Sequence, residues 1–262
     1  MDIIISHDVD HLYLKEHLAD TFIPGAVLRG AKSIAGGGLS FSSFRQRFSL
    51  QLNRIRELHE YNRSLNIRET FFFGMRKGLN LSYNWKDAAP FIEYLLKEDV
   101  LVGLHGQGYN NEELLQEEKN RLLSLLPENY PLGIRNHYLR KDEHTFALMN
   151  KLGFLYDSTE YSLSMPSKMG QMWEIPISIM DAGFVSHHKN DHSALKDRTL
   201  TILNKAHQEG IPFFVINFHD VLFNEGYPDF RSWYLWITNY LSEHRYKFVN
   251  FTDALKILNI PS

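Results

Sequence analysis

The first residues that could do chemistry lie close to the amino terminus, in the stretch Ser6-His7-Asp8-Val9-Asp10-His11. Side chains alternate along a strand, so Asp8 and Asp10 point to one side and the two histidines to the other. Neighbouring carboxylates raise each other's pKa, and a bound cation removes that cost. The pattern therefore indicates a metal site or a catalytic pair. The alternative is that the carboxylates cap a helix or lie in a solvated turn.

Five further reactive residues each follow a short apolar run, just past the predicted end of a strand. They are His105, Arg135, His137, Asp157 and His219. In a parallel α/β barrel the carboxyl ends of the strands converge on one face, so residues far apart in sequence become neighbours. Each residue alone has a structural explanation, such as a turn histidine, a salt-bridged arginine or a loop cap. Their joint placement favours one shared site.

Composition limits the metal and the partners. The 262 residues include no cysteine, so a metal must be held by histidine or carboxylate, which suits zinc or a harder divalent ion. The net charge of −3 gives no basic field for nucleic acid. No apolar run approaches the roughly 20 residues of a membrane span. Because the first strand starts almost at Met1 with no leader before it, we expect a cytoplasmic protein.

Short β-branched or aromatic runs alternate with helical patterns along the whole chain. The polar stretch 183–192, with its histidines at 187, 188 and 192, is expected to be a solvated loop. Seven or eight strands between helices predict an α/β fold, a single irregular (β/α)7-type barrel domain over residues 1–262. One long amphipathic helix is predicted over residues 44–66. The predicted strands cover residues 3–5, 70–73, 100–104, 133–135, 154–156, 173–177, 213–218 and 248–251.

The order of these motifs resembles that of the NodB-type polysaccharide deacetylases. Ser6-His7-Asp8-Val9-Asp10 is similar to a D-x-D form of the family's first motif. Thr70-Phe71-Phe72 resembles its second-strand signature, and His105 matches the first histidine of its H-x-x-x-H motif. Arg135-Asn136-His137-Tyr138 resembles the third motif, and Asn217-Phe218-His219 the Leu-x-His strand end.

One branch of that family looks more similar than the rest. Tyr156-Asp157-Ser158 and the run from Glu174 to Asp181 resemble the WbmS-like deacetylases of O-antigen and surface-polysaccharide clusters. The resemblance implies a metal-dependent hydrolase of C–N bonds that removes the acetyl group from an N-acetylated sugar, nucleotide- or lipid-linked. It also implies a divalent metal ion, with zinc expected first.

The resemblance further implies roles for individual residues. Asp10 and His105 would bind the metal, which lowers the pKa of a bound water and polarises the acetyl carbonyl. Asp8 would be the catalytic base, Arg135 would hold it ionised, and His219 would protonate the departing amine. We expect substrate contacts from four more residues: Tyr109, Asn110, Tyr138 and Asp157.

Two departures from the family pattern bear on the metal. Tyr109 stands where the second metal histidine is expected, and His137 stands where the motif has proline. A neutral tyrosine is a poor zinc ligand beside imidazole, so the third protein ligand must come from elsewhere or be missing. His137 suits that role best, ahead of His7, His11 and Asp8, because it follows a strand end that should face the same cleft.

Two other functions use the same barrel. The chain could hydrolyse a non-sugar C–N bond, or it could be a catalytically degenerate carbohydrate-binding protein. A metal held by Asp10 and His105 would separate both hydrolases from the binding protein, and a panel of N-acetyl sugars would separate the two hydrolases.

Overall fold

The computed structural model describes residues 1–18, 22–186 and 191–259, so the expected loop histidines at 187 and 188 lie outside its scope. Nine strands in this part of the chain form one sheet in the order β6-β7-β5-β4-β3-β2-β1-β9-β8. All neighbouring strands are parallel except β6 and β7. The strands are β1 (Asp2–Val9), β2 (Glu69–Phe73), β3 (Leu101–Gly106), β4 (Gly133–Asn136), β5 (Tyr156–Asp157), β6 (Ser167–Met169), β7 (Met172–Glu174), β8 (Ile179–Met180) and β9 (Phe213–Asn217).

Helices connect the strands and cover the outside of the sheet, which curls into a half-barrel and confirms the predicted α/β barrel-like fold. No helix in the described ranges is both long and apolar enough to span a membrane. The helices are α1 (Phe22–Ala35), α2 (Phe41–Gln46), α3 (Ile55–Ser64), α4 (Trp85–Lys97), α5 (Glu112–Leu123), α6 (Thr145–Lys151), α7 (Asp181–Phe184), α8 (His192–Gln208), α9 (Pro228–Glu243) and α10 (Phe251–Leu258).

Strand β1 is an interior strand of the sheet, between β2 and β9, and both of its faces are buried. Ile3 and Ile5 pack into the large core between sheet and helices. Ile4 packs into a smaller cluster inside the curl of the sheet. Because side chains alternate, Asp8 shares the inner face with Ile4, whereas His7 shares the outer face with Ile5.

Aromatic rings fill the inside of the half-barrel below the strand ends. Phe72 and Tyr156 belong to this inner cluster, and glycines on the neighbouring strands make room for them. A Cβ at Gly103 would lie 2.6 Å from the Phe72 ring, and one at Gly133 would collide with Tyr156. The Arg135 guanidinium lies 4.4 Å from the centre of the Phe72 ring. These rings form the floor of the space at the carboxyl ends of the strands.

The long helix predicted over residues 44–66 is wrong, because α2 ends at Gln46 and α3 starts only at Ile55. Between them the backbone makes tertiary hydrogen bonds in place of helical ones. The Leu52 amide donates to the Leu12 carbonyl at 2.9 Å. The Arg54 amide donates to the buried carboxylate of Asp220 at 2.8 Å. The apolar periodicity was genuine, but partners distant in sequence break the helix.

The last predicted strand, residues 248–251, is also wrong. The described backbone there makes a single bridge, between Ile3 and Phe248. The Asn250 side chain then accepts a hydrogen bond from the Asp253 amide at 3.0 Å, and helix α10 begins at Phe251. An N-cap signal therefore outweighs the apolar run.

Candidate metal and catalytic site

The carboxyl ends of β1, β3, β4 and β9 bring the predicted reactive side chains together, although they are far apart in sequence. Parallel pairing places His105 opposite Arg135 on the two neighbouring strands β3 and β4. Strands β1 and β9 are also adjacent, with Ser6 opposite Asn217, and His219 just past the end of β9 lies near Asp8 and Asp10. The six side chains assembled in this way are Asp8, Asp10, His105, Arg135, His137 and His219.

Three of these residues could hold a metal ion, since one ligand atom from each lies within 4.8 Å of the others. Asp10 Oδ1 lies 3.3 Å from His105 Nε2 and 3.5 Å from His137 Nδ1. The two ring nitrogens are 3.0 Å apart. For comparison, tetrahedral ligands about 2.0–2.1 Å from a zinc ion are separated by about 3.3 Å.

The other nitrogen of each ring fixes which atoms face one another. His105 Nδ1 lies 3.0 Å from the Arg135 carbonyl, so that nitrogen carries the hydrogen. His137 Nε2 lies 2.7 Å from the Leu79 carbonyl, so it carries the hydrogen there. In neutral rings, the two nitrogens that point towards Asp10 are therefore both hydrogen-bond acceptors. Such backbone carbonyls are the partners that orient metal-binding histidines in proteins.

The converging atoms have more acceptors than donors. Asp10 Oδ1 is buried and, while both rings are neutral, has no hydrogen-bond donor among the residues described. Burial disfavours the imidazolium, but the carboxylates of Asp8 and Asp10 raise the pKa of His105. Burial and the neighbouring His105 lower the pKa of His137. A divalent cation satisfies all three lone pairs together, so the residues present fit a metal ion.

Asp8 lies beside this cluster and is held by other partners. Arg135 Nη1 donates to Asp8 Oδ1 at 2.8 Å, and the Asn217 amide donates to Asp8 Oδ2 at 2.7 Å. Burial opposes ionisation, but the Arg135 guanidinium outweighs it and lowers the pKa of Asp8 to about 2. Arg135 is itself fully buried and anchored by Ser6 and Ser158. Asp8 is therefore a fixed carboxylate that does not share the metal cluster's ligand position.

His219 lies on the other side of the two aspartates. Its Nδ1 donates to Asp181 at 2.8 Å, which turns Nε2 towards Asp10 Oδ2 at 3.7 Å and Asp8 Oδ2 at 4.0 Å. Burial favours the neutral ring, but the Asp181 carboxylate and then the two other aspartates raise the pKa of His219 to about 10. The Nε2 atom of His219 therefore points to the space between the two aspartates.

A cavity of about 510 Å³ opens above these groups. Asp10, His219 and Tyr138 line it on the side of the strand ends. The β1–β2 connection, residues 10–68, supplies the opposite wall and contributes Arg29 and Lys32. The reacting groups are therefore open to a ligand from one side and closed below by the aromatic floor.

The four predicted substrate contacts occupy different places. Tyr138 lines the cavity, and its backbone adopts a φ of 56°, a left-handed conformation uncommon for a large side chain. Tyr109 is not part of this lining, and its ring packs under the Arg140 guanidinium at 4.4 Å. Asn110 is exposed in the turn before α5. Asp157 is fully buried, and the Thr159 hydroxyl donates to its carboxylate at 2.6 Å.

The weaker candidates for a third metal ligand are placed elsewhere. His7 points to the outer face of β1, where its Nε2 lies 3.0 Å from Glu69. His11 packs against the Phe22 ring at 4.5 Å, and burial lowers its pKa to about 4. Asn217 is a functional neighbour that the sequence did not indicate, because no local pattern shows that its amide reaches Asp8.

Comparison with solved structures gives the fold, whereas no family model and no curated protein matches the sequence. A structure from Mycobacterium smegmatis, described as that of a polysaccharide deacetylase, matches with a TM-score of 0.64 and 17% identity, covering 97% of this chain and 88% of that one. A structure from Pseudomonas aeruginosa PAO1, described in the same way, matches with a TM-score of 0.64 and 14% identity, covering 97% and 89%. The predicted resemblance is confirmed at the level of the fold.

Another carbohydrate-active enzyme shares this architecture. The GH57-type branching enzyme of Pyrococcus horikoshii matches with a TM-score of 0.57 and 11% identity, covering 99% of this chain and 71% of that one. Proteins of one fold therefore catalyse different reactions, and the side chains at the site, not the fold, determine which reaction is possible.

Proposed function

We propose that the protein is a metal-dependent N-deacetylase that acts on an N-acetylated sugar, nucleotide- or lipid-linked, in surface-polysaccharide or O-antigen biosynthesis. The observation that carries the proposal is the convergence of three acceptor atoms, from Asp10, His105 and His137, next to a separately held carboxylate, Asp8, and the His219 ring. The fold shared with the deacetylase structures supports it. The cytoplasmic location stays a prediction.

Asp10, His105 and His137 would hold the metal, with zinc the expected ion because the donor set is two imidazoles and a carboxylate. When bound, a divalent ion lowers the pKa of a coordinated water towards about 7 and polarises the acetyl carbonyl. His137 would thus take the ligand position at which Tyr109 replaces the family's second histidine. The hydrogen bonds from the two rings to the Arg135 and Leu79 carbonyls keep the ligand lone pairs aimed at that ion.

Asp8 would act as the general base. The Arg135 guanidinium keeps the carboxylate ionised, and the Asn217 amide fixes the position of Oδ2. Asp8 accepts one proton from the attacking water while the new C–O bond forms at the acetyl carbon. Asp10 follows the end of β1, two residues after Asp8, and both carboxylates lie within 4.0 Å of His219 Nε2, so the base would lie beside the metal ligand.

His219 would act as the general acid. The amine cannot leave as an anion, so the nitrogen must gain a proton as the C–N bond breaks. His219 Nε2 supplies that proton, and Asp181 holds the ring in the required tautomer. The products are acetate and the free amino sugar. A divalent cation offsets the charge of Asp10, so the pKa of His219 falls from about 10 when metal binds.

The decisive experiment measures metal content and acetate release on the same samples. Protein stripped with EDTA and reloaded with zinc, cobalt or manganese is assayed on a panel of free, nucleotide-linked and lipid-linked N-acetyl sugars. We expect activity only after reloading, and loss of bound metal in both Asp10→Ala and His105→Ala. Asp229→Ala is the matched control, since that carboxylate lines the same cavity outside the cluster. Full metal content in both ligand variants would refute the site, and reloaded protein that releases no acetate from any sugar of the panel would refute the reaction.

A further inference from the structure

Helix α1 presents an apolar face to solvent. Five of its residues are exposed and apolar, and their spacing along the helix places them on one side. We call this surface the outward face of α1. It consists of Pro24, Val27, Leu28, Ala31 and Ala35. The opposite side of the helix is buried at Ala26 and Gly30, where the Phe44 ring of α2 packs against the backbone. A surface helix of a soluble protein normally shows the reverse pattern, with polar residues outward.

Apolar exposure is concentrated in the whole β1–β2 connection. The four most exposed large hydrophobic side chains in the described ranges all belong to it: Leu50 at 85%, Leu18 at 77%, Phe41 at 66% and Leu28 at 59%. Scattered single exposures are normal, but several in one connection indicate an interaction surface.

The charge of the middle part of this connection, residues 22–56, is one-sided. Residues 22–56 contain six lysines or arginines and no aspartate or glutamate, although the whole chain has a net charge of −3. Arg29 and Lys32 lie on α1 between its outward face and the cavity, and both line that cavity. Arg47 also lines it, with its guanidinium 4.7 Å from the centre of the Tyr227 ring. No described carboxylate forms an ion pair with Arg29 or Lys32.

We propose that the outward face of α1 docks on the surface of an anionic lipid membrane, with the helix in the plane of the interface. Its 14 residues span about 21 Å. Val27 and Leu28 would enter the acyl boundary, while Lys32 and Arg29 would meet headgroup phosphates, which is the arrangement of interfacial amphipathic helices. A lipid surface thus satisfies the apolar side chains and the cations together.

Self-association would cover the apolar side chains but would leave the cations without anionic partners. In a two-fold dimer the same surface faces itself, so the apolar side chains would be covered but the cations of the two copies would be brought together. The charge of residues 22–56 therefore favours lipid over a second copy of this chain.

Docking would also bring the cavity to the membrane. Arg29 and Lys32 lie between the outward face and the cavity. The phosphate of a lipid-linked sugar would bind near these two cations while its lipid stays in the bilayer. The sugar would then extend into the cavity towards Asp10 and His219. This consequence rests on the proposed function and favours a lipid-linked over a nucleotide-linked substrate. The docking itself does not depend on catalysis.

The test is co-sedimentation of the 262-residue chain with vesicles. We expect binding to vesicles of phosphatidylcholine mixed with phosphatidylglycerol, little binding to pure phosphatidylcholine, and weaker binding at high salt. The double variant V27S/L28S should bind the anionic vesicles at least roughly tenfold more weakly, since it loses several methyl groups that would enter the membrane. Lys32→Glu should weaken binding roughly fivefold or more. The matched controls are Leu155→Ser and Lys205→Glu, exposed positions outside the β1–β2 connection.

The substituted side chains are exposed, so the variants should keep the wild-type Tm, which is measured alongside. Absence of binding to anionic vesicles would overturn the proposal, as would V27S/L28S binding as well as the wild type. A wild-type dimer in light scattering that V27S/L28S dissociates, without vesicle binding, would assign the face to self-association instead. Because activity is not part of this measurement, docking and deacetylation can fail independently.

Discussion

Strand β1 separates two buried clusters that are built from the same kinds of side chain. The outer cluster centres on Glu69, whose Oε1 accepts from His59 at 2.7 Å and whose Oε2 lies 3.0 Å from His7 Nε2. Asn62 also donates to this carboxylate and accepts from the Tyr234 hydroxyl at 2.7 Å. Both carboxylate oxygens are bonded within the protein.

The inner cluster, Asp10, His105 and His137, also has one carboxylate and two histidines, but some of its hydrogen-bond acceptors have no donor. Asp10 Oδ1 finds no donor in the described part of the chain, and His105 and His137 turn lone pairs towards it. The comparison shows that composition does not distinguish a structural cluster from a functional one. What distinguishes them is whether the protein itself satisfies both oxygens of the carboxylate or leaves one for a ligand.

The largest contrast should come from removing one histidine on each side. His137→Ala should abolish tight zinc binding, so zinc at a hundred times the wild-type Kd, which stabilises the wild type by about 2.7 kcal/mol, should leave the variant's stability unchanged. His59→Ala should keep the metal and lower stability, because it leaves Glu69 partly unpaired. Elemental analysis and thermal unfolding with and without zinc check both. Equal metal loss in the two variants would remove the distinction.

The second contrast lies within the inner side, between binding and catalysis. Asp8→Asn and His219→Ala should each keep the metal but lower kcat by roughly 10²–10⁴-fold, the usual contribution of a general base or acid. The pH–rate profile of the wild type should be bell-shaped, and each substitution should remove one limb. Steady-state kinetics across pH on an accepted sugar measures this. Activity that survives both substitutions would contradict the assignment.

The outer cluster should appear in the pH dependence of stability. Burial opposes ionisation of Glu69, but its histidine partners lower its pKa in the folded protein. Glu69 therefore stabilises the fold at pH values above the carboxyl pKa of the unfolded chain. This stabilisation is lost as the pH falls through the pKa of Glu69 in the folded protein. Burial disfavours charge on His59, but Glu69 raises its pKa in the folded protein. His59 therefore stabilises the fold at pH values below the unfolded histidine pKa of about 6.5. This stabilisation is lost as the pH rises through the pKa of His59 in the folded protein.

Stability should therefore be greatest between these two limits, in the mildly acidic range. Glu69→Gln should lower the free energy of unfolding there by about 3 kcal/mol and flatten both slopes. Urea unfolding at a series of pH values measures it. An unchanged pH profile in Glu69→Gln would show that the outer cluster does not set this dependence.

The smallest effect is expected at Asn217, where the family motif has leucine. Asn217→Leu removes the hydrogen bond to Asp8 Oδ2 and the one that Asn217 Oδ1 accepts from Arg135 Nη1 at 2.7 Å, while Arg135 keeps its bonds to Asp8, Ser6 and Ser158. We expect a loss of roughly tenfold or less in kcat and an upward shift of the acidic limb of the pH–rate profile, because one donor to the carboxylate is lost. A purely structural role would lower stability without moving that limb.

The site could be predicted from the sequence where its cause is local. Alternation along β1 places Asp8 and Asp10 inward, and strand ends mark His105, Arg135 and His219. Partners set by tertiary contact could not be predicted. Nothing near Leu79 shows that its carbonyl orients His137, and nothing near Asn217 shows that it reaches Asp8.

The features of the fold also separate into those that the sequence predicts and those that depend on tertiary contacts. The succession of strands and helices follows apolar periodicity, whereas the break between α2 and α3 depends on Asp220 binding the Arg54 amide across the molecule. The buried position of Asp157 and the exposed one of Asn110 likewise depend on how the strand ends pack.

The interior position of β1 also has a consequence for biosynthesis. The strand is made first, yet one of its edges pairs with β9, beginning with Asp2 opposite Phe213. At ribosomal rates of about 5–20 residues per second, that edge waits roughly ten to forty seconds for its partner. During this time an apolar strand with unpaired amides is exposed to chaperones and to other nascent chains. The strand that carries the site therefore keeps one unpaired edge until β9 has been synthesised.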